Sequence, residues 1–391
     1  MRPPALDCLV VGGGIAGFWL LDRLVSAGYR ALLVERERLG AGQTIAAQGI
    51  IHGGMKYALG GLAGEASRAL ADAPERWRRA LAGDGDVDLR PLLAAAPATH
   101  LWLGEGLAGR LLAAGARAGL AGVVQPLSPE DWPAALRGRP GIGQVLRLDE
   151  PVLDVPALLA LLARRHEGRI LRAVPVALAG GSVVLAGPDR RRLALRAARV
   201  FVLAGSGAEE LAGLAGARLA TQRRPLHMLM AKGALPELFG HALGLSDKPL
   251  LTVTSHRARD GAPVWYLGGG LAEDGVAMAP AALIAAGRAR LAGLLEPSLI
   301  GRLRFATLRI DRAEARGAAG ARPSDPLWQG DGPVIFGFPS KLALAPRLAD
   351  MALDGLAAAG LRPSGPALPD LPAGWPAPEL ADPPWEMVTW S

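Results

Sequence analysis

The 391-residue chain has a single cysteine, Cys8, and no asparagine, and only four of its 43 basic residues are lysine. One cysteine excludes an internal disulfide and any Cys-x-x-Cys zinc or redox pair. No apolar stretch approaches the roughly 18 residues that a membrane helix needs, so no transmembrane segment is expected. The opening Met-Arg-Pro-Pro-Ala-Leu-Asp lacks the apolar region and cleavage site of a signal peptide, and the expected location is cytoplasmic. The net charge is +7, but the arginines are scattered and no basic run alternates with aromatics. That pattern gives no nucleic-acid footprint. Contact with an anionic membrane surface stays open on charge alone. No His/Cys/Asp/Glu spacing matches a metal site, so none is expected.

What is present is a large apolar share, half of all residues, enough for a core of two or three domains. Residues 6–11 form an apolar run ending in Gly12-Gly13-Gly14. From Ile15, apolar residues recur at helical spacing (Phe18, Trp19, Leu21, Leu24, Val25) until Gly28, the expected stop. Residues 31–34 are a second buried strand closed by Glu35. Cys8 lies in the first strand and reads as core. The Gly12-x-Gly14-x-x-Gly17 spacing meets its required context, strand before and helix after. The first glycine permits the tight turn, the second lets a diphosphate approach the backbone, and the third lets helix and strand pack closely. The helix N-terminus offers N–H groups and a positive dipole end to phosphate. Glu35, 18 residues after Gly17, is placed to accept hydrogen bonds from a ribose. The motif does not separate NAD from FAD. The other glycine clusters, at 205–207 and 268–270, lack the third glycine, so one dinucleotide site is expected.

Downstream, residues 65–135 read as mainly helical and Ala/Leu-rich. Residues 156–166, 280–295 and 342–359 read as helices. Strands are expected near 169–178, 181–185, 192–195, 199–204, 226–230, 250–254, 264–267, 305–310 and 333–336. The tail from Pro363 is proline-rich and carries Trp375, Trp385 and Trp390, which predicts a segment wrapped on the surface.

Residues 40–57, Gly-Ala-Gly-Gln-Thr-Ile-Ala-Ala-Gln-Gly-Ile-Ile-His-Gly-Gly-Met-Lys-Tyr, resemble the D-amino-acid oxidase superfamily of flavoproteins. The His-Gly-Gly-x-basic-Tyr part is similar to flavin-dependent glycerol-3-phosphate dehydrogenases and L-2-hydroxyglutarate oxidases. Residues 200–205, the Arg-Pro segment at 321–325 followed by 332–337, and residues 338–346 resemble the second flavin strand, the Arg-Pro segment and the closing flavin turn of that superfamily, in the same order. The resemblance implies an α/β (α+β overall) fold, with a Rossmann-like FAD-binding domain interleaved with an antiparallel-sheet substrate domain. The expected FAD-binding stretches are 1–75, 150–224 and 300–365. Residues 76–149 and 225–299 would form the substrate domain, and 366–391 the Pro/Trp-rich tail.

The same resemblance implies cofactor contacts from Gly12, Gly14, Ile15, Ala16, Gly17, Glu35 and Arg36. The loop after the second strand would add Gln43, Thr44, Gln48, Gly49 and Ile51. Val176, Ala204 and Gly205 would add more, as would Gly337, Ser340, Lys341 and Leu342. The family chemistry is hydride loss from a carbon bearing a hydroxyl or amine. The protein must orient that carbon, hold an anionic end and accept a proton. Arg322 matches a family arginine that pairs with the substrate carboxylate, a task suited to a planar guanidinium. His52 is the expected residue nearest the flavin and the general base, because an imidazole titrates near neutrality. Lys56, Tyr57, Lys341 and Tyr266 complete the candidate set, while His227, His241 and His256 read as structural. Two departures separate the chain from the glycerophosphate enzymes: Ile45-Ala-Ala-Gln48 replaces a small polar run, and Lys56 stands where arginine is typical. The expected activity is oxidation of a small anionic 2-hydroxy acid or glycerol-phosphate-like substrate. An amine or amino-acid oxidase and a non-catalytic flavin-binding subunit are the alternatives. The electron acceptor, whether dioxygen, a quinone or a protein, is not legible.

Overall fold

A computed structural model describes residues 3–53, 70–106, 124–244, 249–317, 325–330, 332–339 and 341–391. Lys56, Tyr57, Lys248, Arg322 and Ser340 lie outside them.

The chain opens with β1 (Ala5–Val11), α1 (Ile15–Ser26) and β2 (Ala31–Glu35). The two strands pair in parallel with Cys8 opposite Ala31 and Val11 opposite Val34. β1 is apolar at nearly every position because both of its faces are covered. Cys8 and Val10 face the helical side, with Phe18, Leu21 and Leu24 of α1 and Leu348 and Leu356 of the Ala345–Ala358 helix. Leu9 and Val11 face the other side, against Leu185, Leu195 and Leu211. Burial raises the Cys8 thiol far above its ordinary range, which keeps it neutral and inert. Past α1, Gly28 adopts φ +85°, the left-handed conformation that ends the helix.

Parallel neighbours extend this sheet to Ile170–Arg172 on one side, and to Arg192–Val202 and Val334–Phe338 on the other. Val174–Ala179 and Ser182–Ala186 add an antiparallel ribbon. A second eight-stranded sheet is antiparallel apart from one parallel junction, Gly240–Leu243 beside Thr99–Gly104. Its longest pairing joins Thr221–Lys232 to Arg304–Ala315 over twelve residues.

Three differences from the sequence expectations have physical causes. The helical reading of 65–135 holds for Ala73–Ala82, but Ala94–Ala96 and Thr99–Gly104 are strands. Ala/Leu helix propensity is a weak prior, and strand pairing overrides it there. Residues 70–92 pack Leu70, Trp77, Leu89 and Leu92 into the core beside α1, with the Trp77 ring 4.5 Å from that of Trp19. The chain therefore enters the second sheet only at Thr99. Likewise Arg304–Ala315 belongs to the second sheet, because its whole length pairs with Thr221–Lys232.

The tail laces the two sheets together. Ser364 Oγ donates to Asp7 at 2.8 Å, Trp375 Nε1 donates to the Arg172 carbonyl, and the Ala381 N–H donates to the Leu39 carbonyl. Trp385 then stacks on His256 of the second sheet with ring centroids 4.1 Å apart, and Ser391 exchanges backbone hydrogen bonds with Phe305. Among the described residues no helix is long and apolar enough to cross a membrane.

Candidate active site

The two sheets meet at a cavity of about 520 Å³. Its floor is the turn between β1 and α1. Gly12 takes φ +117°, and a side chain there would collide with the Leu203 carbonyl at 2.5 Å. A Cβ on Gly17 would lie 1.9 Å from the Gly12 carbonyl oxygen. Gly14 instead borders the cavity, with Thr44 Oγ1 the nearest atom to a built Cβ. The first and third glycines thus bring backbone against backbone, and the second leaves room for a ligand, as a diphosphate cradle requires. Thr44 Oγ1 accepts the Ile15 N–H at 3.2 Å, tying the loop after β2 to the start of α1.

Glu35 closes β2 at the cavity wall. Its carboxylate accepts from Gly13 N–H at 2.7 Å and Glu37 N–H at 2.9 Å. A smaller cavity of about 60 Å³ shares Gly12, Glu35 and Ala204 with the first and continues along Arg36, Val174 and Pro175. These two spaces fit an elongated dinucleotide: a diphosphate over the glycine turn, a ribose at Glu35 and a base toward Val174.

Most of the residues expected at the cofactor line these walls: Gly12, Gly14, Ile15, Ala16, Glu35, Gln43, Thr44, Gln48, Gly49, Ala204, Gly205, Gly337, Lys341 and Leu342. Gln48 is also a tether, since its Nε2 donates to the Tyr266 carbonyl at 2.9 Å. Three residues are placed elsewhere. Gly17 serves packing rather than contact. Ile51 is fully buried in the core beside α1. Val176 lines neither cavity and is exposed on the outer ribbon, where a register shift between Pro175 and Ala177 rotates the strand. Val174 and Pro175 face the smaller cavity instead.

Tyr266 also departs from its expected role. It is fully buried, lines neither cavity and donates its hydroxyl to the Ala46 carbonyl at 3.1 Å. Burial raises its phenol well above the ordinary range. It pins the second sheet to the loop after β2. His256 is held beside it, edge-on at 6.3 Å, and His227 Nδ1 donates to the Gly275 carbonyl at 3.0 Å in the core.

His52 also lines the cavity, and its side chain is 22% exposed. Its Nδ1 lies 3.1 Å from Oε2 of Glu150, and the other Glu150 oxygen accepts the Gly53 N–H at 2.7 Å. Glu150 is 3% exposed. The ring of His241 sits 5.4 Å from that of His52, and its Nδ1 is 2.8 Å from Thr252 Oγ1. The donor atoms of His52, Glu150 and His241 lie within 4.8 Å of one another, a set whose chemistry also suits a metal ion. In this structure the His52–Glu150 contact is a hydrogen bond. Neither Glu150 nor His241 stood out in the sequence as a site residue, and no local motif marks them.

Cations line the cavity as well: Lys341, Arg224 and Arg312. Arg224 and Arg312 face each other directly across the twelve-residue ladder. Like charges directly opposite are destabilising in a sheet; here the fully buried Glu314 offsets Arg224, its carboxylate 3.8 Å from Nη1. The sequence offered no signal for it, because register decides it.

A glycine-cradled βαβ unit facing an antiparallel sheet across one shared cavity defines a dinucleotide-dependent oxidoreductase. Residues 7–345 match the DAO family of FAD-dependent oxidoreductases, and the chain belongs to that family, with FAD as its cofactor. It is 46% identical over 392 residues, 99% of each chain, to a probable FAD-dependent oxidoreductase of Pseudomonas aeruginosa, PA4991. The crystal structure of that protein covers 99% of both chains with a TM-score of 0.83 at 41% identity. Glycine oxidase from Geobacillus kaustophilus has a TM-score of 0.65 at 14% identity, over 92% of this chain and 99% of its own. L-α-glycerophosphate oxidase from Mycoplasma pneumoniae, solved with FAD bound, has 0.62 at 16%, over 98% and 100%. Those two distant likenesses are of fold.

Proposed function

We propose that this enzyme oxidises the carbinol carbon of a small anionic substrate, a 2-hydroxy acid or a glycerol-phosphate-like alcohol. The observation that supports this reading is the His52–Glu150 pair at the cavity wall. FAD, when bound, supplies a two-electron acceptor for the hydride that leaves the substrate carbon. Gly12, Gly14 and the N-terminus of α1 would hold its diphosphate, and Glu35 its ribose.

An alcohol becomes a carbonyl only if its hydroxyl proton is removed as the hydride leaves. A hydroxyl is far too weak an acid to lose that proton to water at neutral pH, whereas an amine exchanges its own readily. A positioned imidazole backed by a carboxylate therefore serves alcohol oxidation more than amine oxidation. His52 takes the proton. Arg224, Arg312 and Lys341 line the same cavity and would neutralise the anionic end, and Arg322 is proposed to join them as the carboxylate anchor.

The test is anaerobic reduction of the bound flavin, followed by its absorbance, against 2-hydroxy acids and glycerol 3-phosphate on one side and glycine, sarcosine and D-amino acids on the other. Bleaching by hydroxy substrates is expected. Bleaching by amines alone overturns the reading in favour of an amine or amino-acid oxidase. No bleaching by any member would point to a flavin-binding subunit.

A further inference from the structure

We propose that Glu150 is a positioning residue that fixes the tautomer and direction of the His52 imidazole. The proposal rests on the reading of His52 as proton acceptor. The chain at 149–153 runs alongside 49–53: the Ile51 N–H donates to the Pro151 carbonyl at 2.9 Å, Ile50 bridges Val152, and the Leu153 N–H donates to the Gly49 carbonyl. This backbone pairing joins the two segments through main-chain groups alone. Burying a carboxylate costs free energy unless its oxygens are bonded, so a glutamate at 3% exposure calls for a reason.

Its two oxygens supply one. Oε1 accepts the Gly53 N–H and Oε2 faces His52 Nδ1, so a single carboxylate grips both the ring and the backbone of the same turn. An ionised carboxylate only accepts hydrogen bonds. In neutral His52 the ring proton therefore sits on Nδ1 and the lone pair on Nε2. When the substrate hydroxyl gives its proton to Nε2, the resulting imidazolium faces a fixed negative charge. Among the described residues His241 lies beside the ring, 5.4 Å away with its Nδ1 on Thr252 Oγ1, and Lys341 lines the same cavity.

Glu150→Gln tests this with the holoenzyme. The Gln carbonyl keeps the Gly53 N–H, so its amide N–H turns toward His52 Nδ1. That forces the ring into the opposite tautomer, with its proton on Nε2. Flavin content and melting temperature should stay near wild type. The rate of anaerobic flavin reduction should fall roughly 10²–10⁴-fold, with KM changed little and the acid limb of the pH–rate profile displaced. Glu150→Asp, still an acceptor, should recover part of the rate and restore the profile.

Wild-type rate and profile in Glu150→Gln overturn the proposal. So does a slower rate with an unmoved profile and no recovery in Glu150→Asp, which marks a purely structural clip. His52→Ala separates the two layers. If it reduces flavin normally, the proton-acceptor reading itself falls. If it is slow while Glu150→Gln is normal, only this inference falls. Should Glu150→Gln fail to fold, the imidazole ¹⁵N shifts of wild-type His52, assigned against His52→Ala, still decide the question. A proton on Nδ1 supports the proposal, and one on Nε2 overturns it. Stoichiometric zinc retained by wild type, with activity lost to a chelator, also overturns it, in favour of a cation held by His52, Glu150 and His241.

Discussion

The glycine turn and the helix packed on the second sheet show two kinds of close contact. A Cβ on Gly17 would meet backbone, the Gly12 carbonyl oxygen. A Cβ on Gly287, in the Pro280–Leu291 helix packed on the second sheet, would meet a side chain, the Leu229 Cδ2 methyl, and Tyr266 ties that sheet to the loop after β2 through the Ala46 carbonyl. Backbone cannot move without moving a strand, whereas a leucine can change rotamer. Gly17 should therefore break abruptly under substitution, and Gly287 should yield by degrees.

The largest expected effect follows directly. Gly17→Ala puts a methyl 1.9 Å from a carbonyl oxygen of the β1–α1 turn. It should cost about 3 kcal/mol or more and leave a protein without bound flavin. Flavin absorbance per polypeptide and thermal melting check both. Gly287→Ala makes an equally short contact, but with Leu229 Cδ2. It should cost about 1–2 kcal/mol and keep full flavin stoichiometry. If the two variants behave alike, the distinction between the two sites fails.

A smaller effect probes the tether between them. Tyr266→Phe removes the hydroxyl and leaves the buried Ala46 carbonyl without that donor. A loss of about 1–1.5 kcal/mol is expected in a denaturant melt, with turnover within about twofold of wild type. A fall in turnover of a hundredfold would return Tyr266 to the chemistry.

The same contrast explains what could be read from the chain alone. β1, the glycine turn, α1, β2 and Glu35 lie within one continuous stretch of 31 residues (5–35), so strand period, helix period and motif spacing all report on one local object. His52 could be named because a motif surrounds it. Its partners could not: Glu150 lies 98 residues away and reaches it by backbone pairing of 49–53 with 149–153. His241 arrives on a strand whose only parallel neighbour is Thr99–Gly104, a segment whose composition reads as helix. Arg224 and Arg312 meet through a register that a slip of one residue would undo. Tyr266 misled for the opposite reason. A rare tyrosine in a strand of the substrate-facing sheet looks functional until the pleat turns it inward.

The smallest expected effect tests how the tail seals that second sheet. Trp385 stacks on His256, which also contacts Thr254 Oγ1 at 3.0 Å, and burial pushes the imidazole down to about 3. Folded His256 is therefore neutral across the physiological range, while in the unfolded chain it gains a proton below its ordinary value near 6.5. The unfolded state then binds more protons, so this group's contribution to stability falls with pH, starting near 6.5 and continuing toward 3. Between pH 7 and pH 6 the loss from this one group is at most about 0.7 kcal/mol. Asp22 titrates lower. Burial raises its carboxyl, but hydrogen bonds from His166 and Arg165 outweigh that and hold it below the usual range. Its contribution is lost only under stronger acid, below about pH 4. Comparing wild type with His256→Phe in denaturant melts at pH 7 and pH 6 isolates the histidine, because the phenylalanine keeps the stack on Trp385 and removes the titration. The variant should show a pH dependence shallower by that amount. Parallel curves would mean that the ring is solvated in the folded protein and that the tail does not seal this face of the sheet.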